Sequence, residues 1–199
     1  ERNIMKRANA KHWISDCETG ISGKRLGIMG AGAIGSAVAK QASHFGIVVT
    51  GLNSGGQTAA GFSTCYPSKD RLDFAQGLDY LVSLLPSTSA TDGIVDAALL
   101  ARMNSGGIFI NAGRGNAVCD ADLINALESG ALRYAVLDVF TEEPLAATDA
   151  LWNVPGLFIT SHTAAPTPSA AIPEVFARNL KSFLAGEPLA DAMHLERGY

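Results

Sequence analysis

The tightest constraint in this 199-residue chain is a turn carrying three glycines, Gly30-Ala31-Gly32-Ala33-Ile34-Gly35, between an apolar run and an amphipathic stretch. Leu26–Met29 has strand character, and Ala33–Phe45 carries apolar residues at helical spacing. The GxGxxG pattern alone is a weak signal. A strand before it, a helix after it and a second strand-like run from Ile47 supply the context that gives it meaning. In that context Gly30 permits the tight turn, Gly32 lets the backbone approach a pyrophosphate, and Gly35 allows helix and strand to pack closely. The helix start offers unpaired N–H groups and a positive dipole end to phosphates.

The alternation continues along the chain. Further strand-like runs are Ile47–Leu52, Tyr80–Leu85, Gly107–Ile110, Tyr134–Phe140 and Leu157–Thr160. Helical patterns fall at Thr91–Met103, Asp120–Glu128 and Pro173–Leu184, the last with proline in its first turn and Gly186 just past its end. Such alternation implies βαβ units and an α/β fold of the Rossmann type, a doubly wound parallel sheet. Tyr80–Leu85 is almost wholly apolar, which predicts a strand covered on both faces. The expected organisation is a helix (Arg2–Trp13) and linker over 1–22, a dinucleotide-binding domain over 23–165, and a helix and tail over 166–199.

Composition narrows the function classes. Hydrophobic residues at 47% and charged residues at 17% provide a core and exclude wholesale disorder. A net charge of -4 argues against a protein that tracks nucleic-acid phosphates. The stretch Gln41–Ser68 is free of charge, but Ser, Thr, Gln, Asn and Gly interrupt it throughout, so no membrane span is expected. Cys17, Cys65 and Cys119 stand far apart with no CxxC pair, which suits a reducing, cytoplasmic setting. No metal is expected, because His12, His44, His162 and His194 lack ligand-like spacing.

In a parallel sheet, ligands bind outside the carboxyl ends of the strands. The second run ends at Asn53-Ser54, without the acid that usually holds the ribose 2′-hydroxyl of NAD. Both side chains can donate to a 2′-phosphate, which favours NADP over NAD, although no arginine follows closely. The later runs end at Leu85-Pro86, at Asn111-Ala112-Gly113-Arg114, at Asp138 and at Ser161-His162. A cation, a carboxylate and an imidazole therefore emerge on the edge that carries the glycine turn. That set suits hydride transfer to the carbonyl of a 2-oxo acid. Arg114 can hold the substrate carboxylate or carbonyl oxygen through a forked contact. His162 can exchange the proton. Glu142 or Glu143 can stabilise the imidazolium, and Asp138 can orient the nicotinamide carboxamide from its strand end.

These segments resemble the D-isomer-specific 2-hydroxyacid dehydrogenases. The matching stretches are Gly27–Lys40, Ser83–Thr91, Ile110–Val118, Leu137–Leu145 and Thr160–Ala165, and within the family the chain is most similar to the glyoxylate/hydroxypyruvate reductase branch. The resemblance implies that Arg114 binds substrate, that Glu143 rather than Glu142 pairs with the acid/base His162, and that Ala33, Ile34, Pro86, Thr91, Ala112 and Asp138 line the cofactor. It also implies a homodimer and a small 2-oxo or 2-hydroxy acid substrate. Ser161 stands where the family usually has proline, Thr163 where it has isoleucine, and Tyr134 where it has a small residue. Family members are longer, with a second domain, so this chain alone is expected to bind cofactor and to reduce substrate poorly or not at all. An alternative is a dinucleotide-sensing protein of the same fold without turnover.

Overall fold

The computed structural model describes residues 20–165, 169–189 and 192. The expected helix Arg2–Trp13, and residues 166–168 at the expected start of the tail, lie outside the described residues. In chain order the elements are β1 (Arg25–Met29), α1 (Ala33–Ser43), β2 (Val48–Asn53), β3 (Thr64–Pro67), a 3-10 turn (Ser68–Asp70), α2 (Arg71–Ala75) and β4 (Tyr80–Ser83). They continue with α3 (Ala97–Leu100), β5 (Gly107–Asn111), a 3-10 turn (Gly115–Ala117), α4 (Asp120–Glu128), β6 (Leu132–Leu137), a 3-10 turn (Ala150–Asn153), β7 (Leu157–Ile159) and α5 (Ala171–Leu184).

Among the described residues seven strands run parallel in the order β3-β2-β1-β4-β5-β6-β7. The order reverses between β1 and β4, which opens the crevice where such sheets bind ligands. Alternate residues separate the faces. Met29, Leu52, Leu81, Phe109, Ala135 and Leu137 join α2, α3 and α4 in the larger buried cluster, with Phe74, Leu99 and Leu123 fully enclosed. Leu26, Ile28 and Val49 pack with Ala39 and Phe62 on the other face.

Four expectations change. The edge strand β3 was not expected, because its four residues, Thr-Cys-Tyr-Pro, form no apolar run. The strand predicted at Tyr80–Leu85 ends at Ser83, and its faces differ: Leu81 and Ser83 are buried, whereas Tyr80 and Val82 are partly exposed. The strand predicted at Tyr134–Phe140 begins earlier, at Leu132, and ends at Leu137. The helix predicted over Thr91–Met103 shrinks to Ala97–Leu100. Its first half is spent on another pairing, since Gly93 and Val95 donate their N–H groups to Asn116 and Ala117, and Val95 bridges Val118 in parallel. The Asp96 carboxylate then caps the short helix by accepting the Leu99 N–H at 2.9 Å.

Candidate active site

The glycine turn leaves β1 through Gly30 at φ +101, a left-handed value that glycine accepts without strain. Gly35 faces it so closely that a Cβ would stand 2.1 Å from the Gly30 carbonyl oxygen. Above Gly32, by contrast, nothing lies within 4 Å of where a Cβ would be. Gly32 opens α1 with no side-chain cap, and the first turn holds no acidic residue. The cradle is therefore open, unopposed by negative charge and bounded by the exposed Ala33 and Ile34. It fits a pyrophosphate.

At the end of β2, Asn53 turns its side chain into its own loop. Its Oδ1 accepts the N–H groups of Gly55 (3.2 Å) and Gly56 (2.6 Å), while Nδ2 donates to the Gln57 carbonyl at 2.7 Å. One Nδ2 hydrogen and the hydroxyl of the exposed Ser54 remain for a ligand.

Beyond β4, Thr91 shapes the loop from Pro86: its hydroxyl donates to the Pro86 carbonyl at 2.7 Å and accepts the Thr88 N–H at 3.0 Å. Leu85 is buried, and a Cβ on Gly113 would meet its backbone nitrogen at 2.6 Å. The loops that follow β4 and β5 thus pack backbone to backbone, with the half-buried Pro86 and Ala112 beside them.

Asn111, fully buried at the end of β5, stands at a strand end that the sequence marks without showing what its side chain does. Its Oδ1 accepts the Gly113 N–H at 3.1 Å and its Nδ2 donates to the Arg114 carbonyl at 3.0 Å. The signal was a polar residue closing an apolar strand, where an amide can fold the following turn. Arg114 itself is exposed, with Nη1 on the Gly113 carbonyl at 2.7 Å.

His162 lies at φ 55, on the loop after β7, and its Nδ1 is 2.7 Å from Glu143 Oε2. The other oxygen of Glu143 accepts the Phe140 N–H at 2.9 Å. The His162 contact and then the Phe140 N–H hold the Glu143 carboxyl below its ordinary range, and Arg114 contributes in the same direction. Glu142, the other candidate, makes no such contact in this arrangement. Asp138 is buried and serves the same loop. Its carboxylate accepts the Thr160 hydroxyl and the Thr163 and Ala164 N–H groups, and its carbonyl accepts the His162 N–H. Burial pushes the Asp138 carboxyl up, but those hydrogen bonds outweigh it and leave it below the usual range. Three of its about four acceptor positions are thereby used. Tyr134 packs edge-on against Phe158 at 5.7 Å, so its bulk goes into the β6–β7 face.

Beside His162 and Glu143 opens a cleft of about 430 Å³, lined also by Pro144, Leu145, Trp152 and Ile159. No group of three or more metal-ligating side chains occurs among the described residues.

The fold and this edge define a Rossmann-type nucleotide-binding domain. The family profile described as "D-isomer specific 2-hydroxyacid dehydrogenase, NAD binding domain" matches residues 2–164, and the chain belongs to that family. It is 36% identical over 175 residues to glyoxylate/hydroxypyruvate reductase A of Serratia proteamaculans, covering 87% of this chain and 56% of the relative. Against the protein of that name from Salmonella typhimurium it is 34% identical over 174 residues, with the same coverage. The chain thus spans about half the length of these curated relatives. Among solved structures, an NADPH-dependent glyoxylate/hydroxypyruvate reductase from Sinorhizobium meliloti, in complex with NADP and sulfate, superposes with a TM-score of 0.92 at 32% identity, over 100% of this chain and 64% of that one. A D-isomer specific 2-hydroxyacid dehydrogenase from Xanthobacter autotrophicus, in complex with NADPH and MES, gives 0.91 at 30% identity, over 99% and 81%.

Proposed function

We propose that this chain is the cofactor-binding part of an enzyme that reduces a small 2-oxo acid, of the glyoxylate or hydroxypyruvate type, to the D-2-hydroxy acid, with NADPH in preference to NADH. The observation that carries this reading is the His162–Glu143 pair, 2.7 Å apart on the edge that holds Arg114 and the open glycine cradle. The missing acid at the end of β2 and the NADP complexes of similar structures support the choice of cofactor.

When bound, the reduced nicotinamide supplies the hydride that reaches the carbonyl carbon. The glycine turn and the first N–H groups of α1 would hold the pyrophosphate. Arg114 holds the substrate's carboxylate or carbonyl oxygen. Glu143 engages Nδ1 of His162, which leaves Nε2 to face the substrate. As the carbonyl oxygen gains charge, Nε2 gives it a proton, and the C=O bond becomes C–OH. Glu143 stabilises the ring while it is charged. In the oxidative direction the neutral ring takes the proton back. Asp138 holds the loop that presents the ring. The reading includes a homodimer in the cytoplasm. The dimer comes from the resemblance, and the compartment from widely spaced cysteines, of which Cys65 and Cys119 are free thiols. No helix among the described residues is long and apolar enough to cross a membrane.

The full-length protein is expected to oxidise NADPH when given glyoxylate or hydroxypyruvate. Failure to do so with any small 2-oxo acid would overturn the proposal.

A further inference from the structure

We propose that Lys69 supplies the positive charge that recognises the 2′-phosphate of NADPH in this chain, a role that rests on the NADP reading above. The end of β2 selects the adenosine ribose. Here it lacks both the acid that would hold a 2′-hydroxyl and an arginine that would hold a phosphate, and no Lys, Arg, Asp or Glu occurs between Gln41 and Ser68. A cation for this position must come from a neighbouring element.

Strand β3 brings one. Asn53 pairs with Pro67 in parallel register, and the Ser68 hydroxyl donates to the Asn53 carbonyl at 3.2 Å. The next residue, Lys69, therefore stands beside the Asn53-Ser54 turn on the same carboxyl edge, exposed and without an ion pair among the described residues. Arg71 is already committed. It holds both Asp96 oxygens at 2.9 and 2.8 Å and the Ile94 carbonyl at 3.1 Å. Arg114 follows β5, three strand positions from β2, or roughly 14 Å at the usual spacing. Lys24, Arg25 and Arg133 stand at the amino-terminal ends of strands, on the opposite edge. An ammonium on a flexible four-carbon stem suits a phosphate dianion, which demands charge more than a fixed fork. The free Nδ2 hydrogen of Asn53 and the Ser54 hydroxyl can complete the shell with neutral donors.

Calorimetric titration of this chain with NADPH, NADH, 2′,5′-ADP and 5′-AMP tests the assignment without turnover. The wild-type chain is expected to prefer NADPH. Lys69→Ala should weaken NADPH and 2′,5′-ADP about tenfold, the equivalent of ~1.4 kcal/mol, and leave NADH and 5′-AMP within about twofold. Lys69→Arg should restore the preference, and Lys69→Glu should deepen the loss. Added salt should narrow the wild-type preference more than that of Lys69→Ala. A wild-type preference for NADPH that survives Lys69→Ala, or an equal loss for both cofactors, overturns the role of Lys69 and leaves the NADP reading standing. A wild-type preference for NADH overturns both. Should Lys69→Ala not fold, Lys69→Gln against Lys69→Arg makes the same comparison.

Discussion

The carbonyl of Asp138 accepts the His162 N–H at 2.8 Å, while its carboxylate reaches past that residue to the N–H groups of Thr163 and Ala164 at 2.9 and 3.0 Å. One buried residue thus holds the histidine from below and its loop from the far side. His162 needs that hold, because its φ of 55 lies where residues with a Cβ are uncommon. Asp138→Asn exchanges one acceptor oxygen for an NH₂ group that faces N–H donors. The expected result is a loss of about 1–3 kcal/mol in stability and a fall in turnover, read by thermal denaturation and steady-state kinetics. Unchanged turnover would show that the loop is held by other means.

Replacement of the ring separates binding from chemistry. His162→Gln in the full-length protein should lower turnover about 10²–10⁴-fold, the usual contribution of a positioned acid/base group. Glu143→Gln should lower it at least about tenfold, or ~1.4 kcal/mol in the barrier. NADPH affinity, measured by fluorescence titration, should stay near wild type in both. A dinucleotide-sensing protein would show no turnover to lose.

The two inner glycines make opposite predictions. A Cβ on Gly35 would lie 2.1 Å from the Gly30 carbonyl oxygen, so Gly35→Ala should cost about 1–3 kcal/mol of stability by overpacking. At Gly32 the space is open and φ is -82, which suits alanine. Gly32→Ala should keep the melting temperature and lose NADPH affinity. Melting curves paired with titrations distinguish the two, and equal behaviour would remove the pyrophosphate from this turn.

Acid should expose the Arg71–Asp96 pair. The Arg71 guanidinium is the main cause holding the Asp96 carboxyl below its ordinary range. Its contribution to stability is fully present above the unfolded value of about 3.9. It is lost as pH falls through the lower folded value. Stability measured by denaturant should therefore decline from about pH 4 downward. Asp96→Asn should be less stable near neutrality and show a shallower decline in acid; an identical slope would contradict the pairing.

Much of this molecule is legible in its sequence. Periodicity located six of the seven strands, since buried strands need apolar residues. The edge strand β3, Thr-Cys-Tyr-Pro, carries no apolar run and left no such trace. The helix over Thr91–Met103 was misread because its apolar spacing serves a loop that bridges Val95 to Val118. Residue chemistry at strand ends brought Arg114, Glu143 and His162 to one edge, but spacing could not separate Glu142 from Glu143. The resemblance implies Glu143, and the fold sets that residue 2.7 Å from His162.

The glycine turn, the parallel alternation and the inventory of groups at the carboxyl edge were set by sequence alone, because backbone freedom, side-chain period and residue type are local properties. The tertiary structure decided where each polar atom spends its hydrogen bonds. Asn53 folds its own loop, Asn111 folds the arginine turn, Asp138 clamps the histidine loop, and β3 carries Lys69 to the end of β2. Those outcomes depend on which strands become neighbours, and that is fixed only when the whole sheet assembles.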